Sequence, residues 1–274
     1  MRANYVSRGE SMKRFRTVAA TFAAVALVLS ACSDDSESSP DAEFTTISDG
    51  KLTVCTDSPY EPFEWQDDDG NWTGFDIDLL TAVADEMGGL TLEVIDQPFE
   101  GIWLAPAAKK CDIVGSAMTI TEERQEAALF SDPYFNADQS LLVSADQAET
   151  LVDAASLAGK TIAVQSNTTG ETYANENFTD STIKSFADAT ALFLALESGQ
   201  VDAALQDLPV NADRAMKNTD LAISATFTTG EQYGFAVAKD NTALIEAVNA
   251  GLAAAKSSGD YAEIYKKYFG VDPE

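Results

Sequence analysis

The sequence of 274 residues contains no histidine, and it is poor in basic residues. Its 17 lysines and arginines stand against 45 aspartates and glutamates, which gives a net charge of −28 at pH 7. Because so acidic a chain is repelled by phosphate backbones and anionic headgroups, we expect no nucleic-acid partner and no polybasic membrane contact. Without imidazole there is no Ser-His-Asp or Cys-His nucleophile and no metal site built on the commonest ligand. Carboxylate chemistry, thiol chemistry or binding without catalysis remains, and we expect no cofactor.

A single apolar run near the N-terminus is the candidate targeting segment. Basic residues within 13–16 precede the apolar residues 18–29, and the run closes on Leu-Ser-Ala followed by Cys32. About a dozen apolar residues are too few to span a bilayer but fit the core of a signal peptide. The pattern resembles the lipobox of bacterial lipoproteins. Residues 1–31 are therefore predicted to be a lipoprotein signal peptide and Cys32 the acylated residue, with a plain secretory signal as the alternative.

Loss of this segment would sharpen the charge imbalance. Removing residues 1–31 takes away five basic residues and one acidic residue, so the net charge deepens from −28 to −32. Arg124 and Arg214 are then the remaining arginines. Residues 32–47 are rich in Ser, Asp and Glu, which predicts a flexible tether behind the lipid anchor.

Two further cysteines, Cys55 and Cys111, remain after acylation of Cys32. Paired thiols in an exported protein commonly form a disulfide. If the two residues lie on neighbouring parallel strands, however, their sulfurs would be several residues apart along the sheet and out of reach. The sequence leaves both states open.

From residue 51 onward, short β-like runs alternate with helical patterns, which is typical of an α/β fold with parallel strands. Two helices end at glycines, at Gly88 and at Gly199, and this favours two α/β units over one continuous sheet. The predicted strands are Leu52–Thr56, Thr91–Ile95, Asp112–Ser116, Ser140–Ser144, Thr161–Gln165, Ile183–Phe186, Val201–Leu205 and Gly234–Ala238. The predicted helices include one through Ile77 to Met87, Ala189–Ser198, Thr242–Ser257 and Tyr261–Tyr268.

Seven motifs occur in the order typical of one family. They are CTDSPYEPFE at 55–64, GFDIDL at 74–79, PFEGI at 98–102, MTITEER at 118–124, FSDPYF at 130–135, VQSNTTG at 164–170 and VDAALQD at 201–207. Together they make residues 48–270 resemble the polar amino-acid solute-binding proteins of bacterial ABC importers, the family 3 extracellular solute-binding proteins, in lipoprotein form.

The resemblance implies a periplasmic-binding-protein-like fold of type II, in which two α/β lobes joined by two crossings enclose a ligand cleft. Lobe 1 would comprise residues 48–137 plus 234–274, and lobe 2 would comprise residues 138–233. The crossings would lie near 138–142 and 227–233.

Charged and hydroxyl side chains of the motifs are candidates for binding an amino acid's carboxylate and ammonium groups. The resemblance assigns the carboxylate to Arg124, whose guanidinium can donate two parallel hydrogen bonds. An isolated arginine would otherwise be read as a surface ion pair with a neighbouring glutamate. Thr168 and Thr169 open a predicted helix, whose free N–H groups favour an anion. Asp207 would pair with the ammonium.

The remaining candidates complete the ammonium site and enclose the ligand's side chain. The Thr119 hydroxyl and the Ala117 carbonyl would join Asp207 at the ammonium. Tyr60 and Phe99 match the aromatic walls, and the end of the ligand side chain would meet three polar groups: Asp57, Gln165 and Gln206. Because a carboxylate accepts hydrogen bonds and repels another carboxylate, glutamine is favoured, followed by glutamate, asparagine or a basic amino acid.

The implied function is capture of a free polar amino acid on the outer face of the cytoplasmic membrane and delivery to an ABC permease with its ATPase, by a lipid-anchored monomer without catalytic activity. A prephenate-type dehydratase on the same fold is the rival, with Glu64 or Glu100 as the proton donor. A sensor domain that presents its ligand to a receptor is a third possibility. Neighbouring genes would separate import from sensing.

Overall fold

The structure is a computed structural model, and it describes residues 44–273. The predicted signal peptide 1–31 and the predicted lipidation site Cys32 lie outside the described residues. Two five-stranded sheets and a two-stranded hairpin carry the fold, with helices packed against the sheets. Within residues 44–273, no helix has the length and apolarity needed to cross a membrane.

Twelve strands and seven α-helices are labelled in chain order within this part of the chain. The strands are β1 (Lys51–Thr56), β2 (Trp65–Gln66), β3 (Trp72–Thr73), β4 (Thr91–Asp96), β5 (Ile113–Val114), β6 (Ala128–Phe130), β7 (Phe135–Ser144), β8 (Thr161–Gln165), β9 (Thr182–Phe186), β10 (Ala203–Asp207), β11 (Leu221–Tyr233) and β12 (Ala236–Ala238). The helices are α1 (Phe75–Glu86), α2 (Glu122–Ala127), α3 (Thr169–Asn177), α4 (Ala189–Glu197), α5 (Leu208–Lys217), α6 (Thr242–Ser258) and α7 (Asp260–Phe269).

Each large sheet combines parallel and antiparallel strands. The first has the order β4-β1-β5-β12-β6, in which β1 is parallel to β4 and β5 while β12 is antiparallel to β5 and β6. The second has the order β11-β7-β10-β8-β9, with β8 parallel to both β9 and β10. The expectation of parallel strands is therefore wrong for two strands that run against both of their neighbours, β12 in the first sheet and β7 in the second. The strand β6 was not predicted, and of β11 only the crossing near 227–233 was expected.

The two long strands β7 and β11 connect the sheets. They pair with each other in antiparallel fashion, with a register shift between Phe227 and Glu231. Near the first sheet, the Tyr134 N–H donates to the Tyr233 carbonyl at 3.0 Å, and the Gly234 N–H donates to the Met118 carbonyl at 3.1 Å. The solvent-facing residues of β11 give it little apolar periodicity, which explains why the sequence pattern did not reveal it.

Local sequence explains where the helices begin and end. In α1 the apolar residues Ile77, Leu80 and Val83 are buried at helical spacing, and the helix ends just before two glycines with positive φ. Gly74 precedes this helix with φ of 130°, where a Cβ atom would lie 2.0 Å from the Phe63 carbonyl oxygen. Only glycine fits this position, and its absence of a side chain allows the 62–64 segment to pack on the start of α1.

Cys55 and Cys111, whose pairing the sequence left undecided, form a disulfide. Cys55 lies in β1, and its Cα atom is 5.7 Å from that of Cys111. The sheet partner of Cys55 is Val114, whereas Cys111 lies in the turns before β5. The objection based on strand spacing therefore does not apply, because Cys111 is not part of a strand. Both cysteines are buried in one small apolar cluster.

Candidate functional site

The parallel strands of both sheets direct the predicted site residues to one place. Asp57 follows β1, Phe99 follows β4, and Ala117 follows β5, whereas Gln165 and Asp207 are the last residues of β8 and β10. Carboxyl ends of parallel strands meet at one edge of a sheet, where open α/β sheets bind ligands. Each lobe therefore contributes loop and strand-end residues to a common cleft.

A cavity lies in this cleft, and its lining contains ten of the eleven predicted ligand-binding residues. Gln206 is the exception: it is buried behind Gln165, with its amide nitrogen 3.5 Å from the Gln165 side-chain oxygen. Ser116 lines the cavity without having been predicted, although it directly precedes Ala117. The lining residues are Asp57, Tyr60, Phe99, Ser116, Ala117, Thr119, Arg124, Gln165, Thr168, Thr169 and Asp207.

Arg124 is buried at the cavity, and its guanidinium donates hydrogen bonds to backbone carbonyls. It lies in α2, where the Thr121 hydroxyl accepts a hydrogen bond from its backbone N–H at 3.2 Å. The guanidinium Nη1 donates to the Thr119 carbonyl at 2.8 Å, and Nη2 donates to the Asn167 carbonyl at 3.1 Å. Only 4 % of the residue is exposed. This placement excludes the alternative reading of Arg124 as an exposed surface ion pair.

Two aromatic rings pack on the same guanidinium. The ring centroids of Phe99 and Trp103 lie 5.2 Å and 5.1 Å from its central carbon. Cation–π contacts of this kind stabilise a desolvated cation. Burial lowers the pKa of Arg124, whereas the charges of Asp207 and Glu231 act in the opposite direction. Arg124 is thus a buried cation in contact with two aromatic rings.

Asp207 provides the opposite charge and receives three hydrogen bonds. The hydroxyl groups of Tyr60 and Tyr233 donate to its Oδ2 at 2.8 Å and 2.5 Å, and the amide of Gln139 donates to its Oδ1 at 2.5 Å. Burial, followed by the negative charge of Glu231, raises the pKa of Asp207 to about 6, and the three hydrogen bonds oppose this rise. The donors come from both lobes, so Asp207 already bridges the cleft.

Glu231 is a polar residue of the site that the sequence did not reveal. Its Oε2 accepts hydrogen bonds from the hydroxyls of Thr119 at 2.7 Å and Thr169 at 2.5 Å, while its Oε1 accepts one from the Gln139 amide at 3.1 Å. It lies in the predicted crossing near 227–233, now part of β11, but the sequence did not indicate which way its side chain points. Glu231 holds the two threonine hydroxyls together from the connecting strand.

At the other side of the cavity, Asp57 contacts Gln165 across the cleft. The Gln165 amide donates to Asp57 Oδ2 at 2.6 Å. Burial raises the pKa of Asp57 to about 6, the Gln165 hydrogen bond lowers it, and the nearby charges of Asp96 and Asp188 raise it further. This end of the cavity therefore attracts hydrogen-bond donors and positive charge.

The N-terminus of α3 faces the cavity through Thr168 and Thr169. Thr168 is the N-cap: its hydroxyl accepts the Glu171 N–H at 3.1 Å and donates to the Gln165 carbonyl at 2.8 Å. Asn167 before it has a positive φ of 63°. The first-turn N–H groups give this edge of the cavity a positive partial charge.

The polar contacts across the cleft leave little space in the cavity. Its volume of about 20 Å³ has room for a water molecule but not for an amino acid. An open groove of about 840 Å³ adjoins it and shares Thr119, Arg124, Thr168 and Thr169. Entry of a larger ligand therefore requires the two lobes to separate. No group of three or more Cys, Asp or Glu side chains in residues 44–273 is arranged to hold a metal ion.

Proteins with similar sequences and structures bind amino acids. A probable histidine-binding protein of Neisseria gonorrhoeae is 33% identical over 271 residues, which cover 96% of this chain and 97% of that protein. The ABC transporter glutamine-binding protein GlnH of Bacillus subtilis is 34% identical over 206 residues, covering 74% and 75%. An ancestral arginine-binding protein, solved with arginine and with glutamine, shares 36% identity and a TM-score of 0.77 over 81% of this chain and 99% of that one.

Residues 52–271 match the family described as bacterial extracellular solute-binding proteins, family 3. The two sheets, the connecting strands β7 and β11, and the cleft at the strand ends agree with the two-lobed fold of the similar structures. The chain therefore belongs to the family 3 bacterial extracellular solute-binding proteins.

Proposed function

We propose that this protein captures a free polar amino acid outside the cytoplasm and delivers it to an ABC permease driven by its ATPase. One observation carries the proposal: the cleft cavity presents a buried guanidinium, Arg124, together with a buried carboxyl group, Asp207. A zwitterionic α-amino acid carries the complementary charges, and it would replace the water that each group loses on burial. The ligands named for the histidine-, glutamine- and arginine-binding proteins support the same class.

In this proposal the ligand's carboxylate binds Arg124 and the first-turn N–H groups of α3 beside Thr168 and Thr169. The ammonium group donates to Asp207, to the Thr119 hydroxyl and to the Ala117 carbonyl. Ala117 lines the cavity and has a positive φ of 43°. Tyr60 and Phe99 would enclose the ligand's carbon chain.

The ligand's side chain would end at Asp57 and Gln165, with Gln206 supporting Gln165 from behind. Asp57 accepts hydrogen bonds, and the negative charges of Asp96 and Asp188 add to its own. Donor groups suit this end, so we propose glutamine or a basic amino acid as the ligand. Asparagine is shorter, and glutamate is repelled by the surrounding carboxylates.

Binding would proceed by closure of lobe 1 (48–137 plus 234–274) on lobe 2 (138–233), with crossings near 138–142 and 227–233. The described contacts across the cleft support this closure. Each of them joins two polar groups that could instead bind the ligand. The ligand would separate Asp57 from Gln165 and would insert between Arg124 and Asp207.

An export signal in residues 1–31 and acylation at Cys32 would hold the protein, as a monomer, at the outer face of the cytoplasmic membrane. Incorporation of labelled palmitate that disappears in Cys32→Ala tests the anchor. Incorporation that persists in this variant would contradict it.

We infer binding without catalysis. A dehydratase on this fold would need a proton donor at the ligand, and neither candidate lines the cavity: Glu64 is fully buried behind Ser116, and Glu100 is exposed.

Isothermal titration of the purified protein against the twenty amino acids tests the function. A micromolar Kd, about −8 kcal/mol, is expected for glutamine or a basic amino acid. Heat from none of the twenty, with a folded protein, would contradict the proposal. Mass spectrometry of small molecules released by denaturation provides an independent identification.

A further inference from the structure

Two carboxyl groups next to the cleft have no role in the proposed binding contacts. Glu64 and Asp76 are both fully buried, at 0% exposure, and neither lines the cavity. They belong to the Pro62-Phe63-Glu64 and Gly74-Phe75-Asp76 segments of two of the family motifs. Acidic side chains are rarely fully buried unless they are paired, because an unpaired buried charge is costly.

The backbone holds these two acids in one place. The Phe75 N–H donates to the Pro62 carbonyl and the Asp76 N–H donates to the Phe63 carbonyl, both at 3.0 Å. This close approach depends on Gly74, where any side chain would collide with Phe63. The segment that carries Glu64 is thereby fixed against the first turn of α1, which carries Asp76.

Both acids support the turn that follows β5. Asp76 Oδ2 accepts the Ala117 N–H at 2.8 Å, and Glu64 Oε1 accepts the Ser116 hydroxyl at 2.9 Å. The Ser116 oxygen in turn accepts the Asp57 N–H at 3.0 Å. Ala117 needs this support, because its positive φ of 43° is unfavourable for a residue with a Cβ atom. Three residues of the cavity lining are thus positioned by two buried acids.

Within residues 44–273, the partners of these two acids do not include a cation. Besides the contacts above, Asp76 Oδ2 accepts the Tyr134 hydroxyl at 2.7 Å. Glu64 Oε2 and Asp76 Oδ1 are buried and have no hydrogen-bond partner within the described residues. Two carboxylates on hydrogen-bonded neighbouring segments could not both remain charged there, so one of them must carry a proton.

We propose that Glu64 and Asp76 are positioning residues, one protonated and one ionised, and that this pair holds the Ser116–Ala117 turn in the conformation that the cleft requires. The proton resides on Glu64. Asp76 is the ionised partner because it lies in the first turn of α1, where the helix dipole favours negative charge, and because it already accepts two hydrogen bonds.

The charged surroundings favour the same arrangement. Burial, and then the charge of Asp76, raises the pKa of Glu64 well above its usual range, with smaller contributions from Asp57 and Asp207. Burial also raises the pKa of Asp76 to about 7, against the hydrogen bonds from Tyr134 and Ala117. Tyr134 remains a neutral donor because burial raises its pKa.

Infrared spectroscopy of the ligand-free protein above neutral pH tests the proposal without relying on the proposed function. The natural protein is expected to show the carbonyl stretch of a protonated carboxyl group. This band would come from Glu64, because Asp57 and Asp207 are ionised above neutral pH. Glu64→Gln should lack this band, because the amide replaces the protonated acid. Glu100→Gln, at an exposed glutamate of the same region, is the matched control and should retain it. Absence of the band in the natural protein, or its persistence in Glu64→Gln, would overturn the proposal.

Stability and ligand affinity provide the readouts of positioning. Glutamine is isosteric with the protonated acid, so Glu64→Gln should fold and should bind the amino acid found by titration within about threefold of the natural Kd. Ser116→Ala interrupts the link to Asp57 and should weaken binding by about tenfold while the infrared band remains.

The pH dependence of thermal unfolding completes the test. Acids whose pKa rises on folding retain protons that the unfolded chain has lost, so stability falls as pH rises through their folded pKa. This alkaline decline should be shallower in Glu64→Gln than in Glu100→Gln. Equal declines, or failure of Glu64→Gln to fold, would overturn the protonated state of Glu64. If the natural protein binds none of the amino acids, that result would instead count against the proposed function.

Discussion

Replacing Arg124 by alanine is the most direct perturbation of the cleft. The substitution removes the guanidinium that donates to the Thr119 and Asn167 carbonyls and lies between the rings of Phe99 and Trp103. It also removes the buried cation that the proposed ligand carboxylate would meet. We therefore expect ligand affinity to suffer far more than stability.

The structure allows both effects to be estimated. Two hydrogen bonds from the guanidinium to a carboxylate contribute about 1.5 kcal/mol or more each, so the loss in binding free energy should be about 3 kcal/mol or more. This corresponds to a Kd weakened at least about 100-fold. The free energy of unfolding should change by only about 1–2 kcal/mol, because removal of a desolvated cation without a salt bridge among the described residues offsets the lost hydrogen bonds.

Titration calorimetry and urea unfolding on the same samples measure the two quantities. Arg124→Lys is the informative companion variant, because it keeps the charge but loses the paired donors. Arg214→Ala is the matched control: Arg214 pairs with Glu197 and lies over the ring of Phe193, away from the cavity lining. Its partly exposed ion pair should contribute only about 0–1 kcal/mol to stability and nothing to affinity.

An Arg124→Ala protein that folds normally and binds within about threefold of the natural Kd would refute the assigned role. A loss of affinity of the same size in Arg214→Ala would show that the effect is nonspecific.

Three further predictions concern the disulfide and the two cavity carboxyl groups. Replacing Cys55 and Cys111 by serine should lower the unfolding free energy by about 4 kcal/mol, since the bridge closes a loop of 56 residues; an unchanged urea midpoint would contradict this. Because the ligand's ammonium favours the ionised form of Asp207, affinity should fall as pH drops below about 6, by up to about tenfold per unit; Asp207→Asn should flatten this profile, and an identical profile in the variant would argue against the ammonium contact. Asp57→Asn should weaken binding of a basic amino acid by about tenfold or more while changing glutamine affinity by less than about threefold, and competition titrations that show no change in selectivity would place the ligand's side chain elsewhere.

Local pattern was sufficient to predict most of the scaffold. The strand Thr161–Gln165 occurs with the predicted bounds, and α4 begins at Ala189 as predicted, where Asp188 caps it through a hydrogen bond to the Ala191 N–H. These elements are encoded by residues close together in sequence, through caps, apolar spacing and terminal glycines. Side chains at the ends of such strands could therefore be expected to meet in the cleft before any coordinates were known.

The sequence by itself thus determined the α/β class, the family and the candidate residues of the cleft. The tertiary structure decided which distant groups pair: Cys55 with Cys111, Asp57 with Gln165, and the Thr119 and Thr169 hydroxyls with Glu231. These pairings depend on strand direction, register and turns, which bring together residues from 56 to 112 positions apart. The burial that raises the pKa of Asp207 and Glu64 arises in the same way, because only the folded chain excludes water from their carboxyl groups.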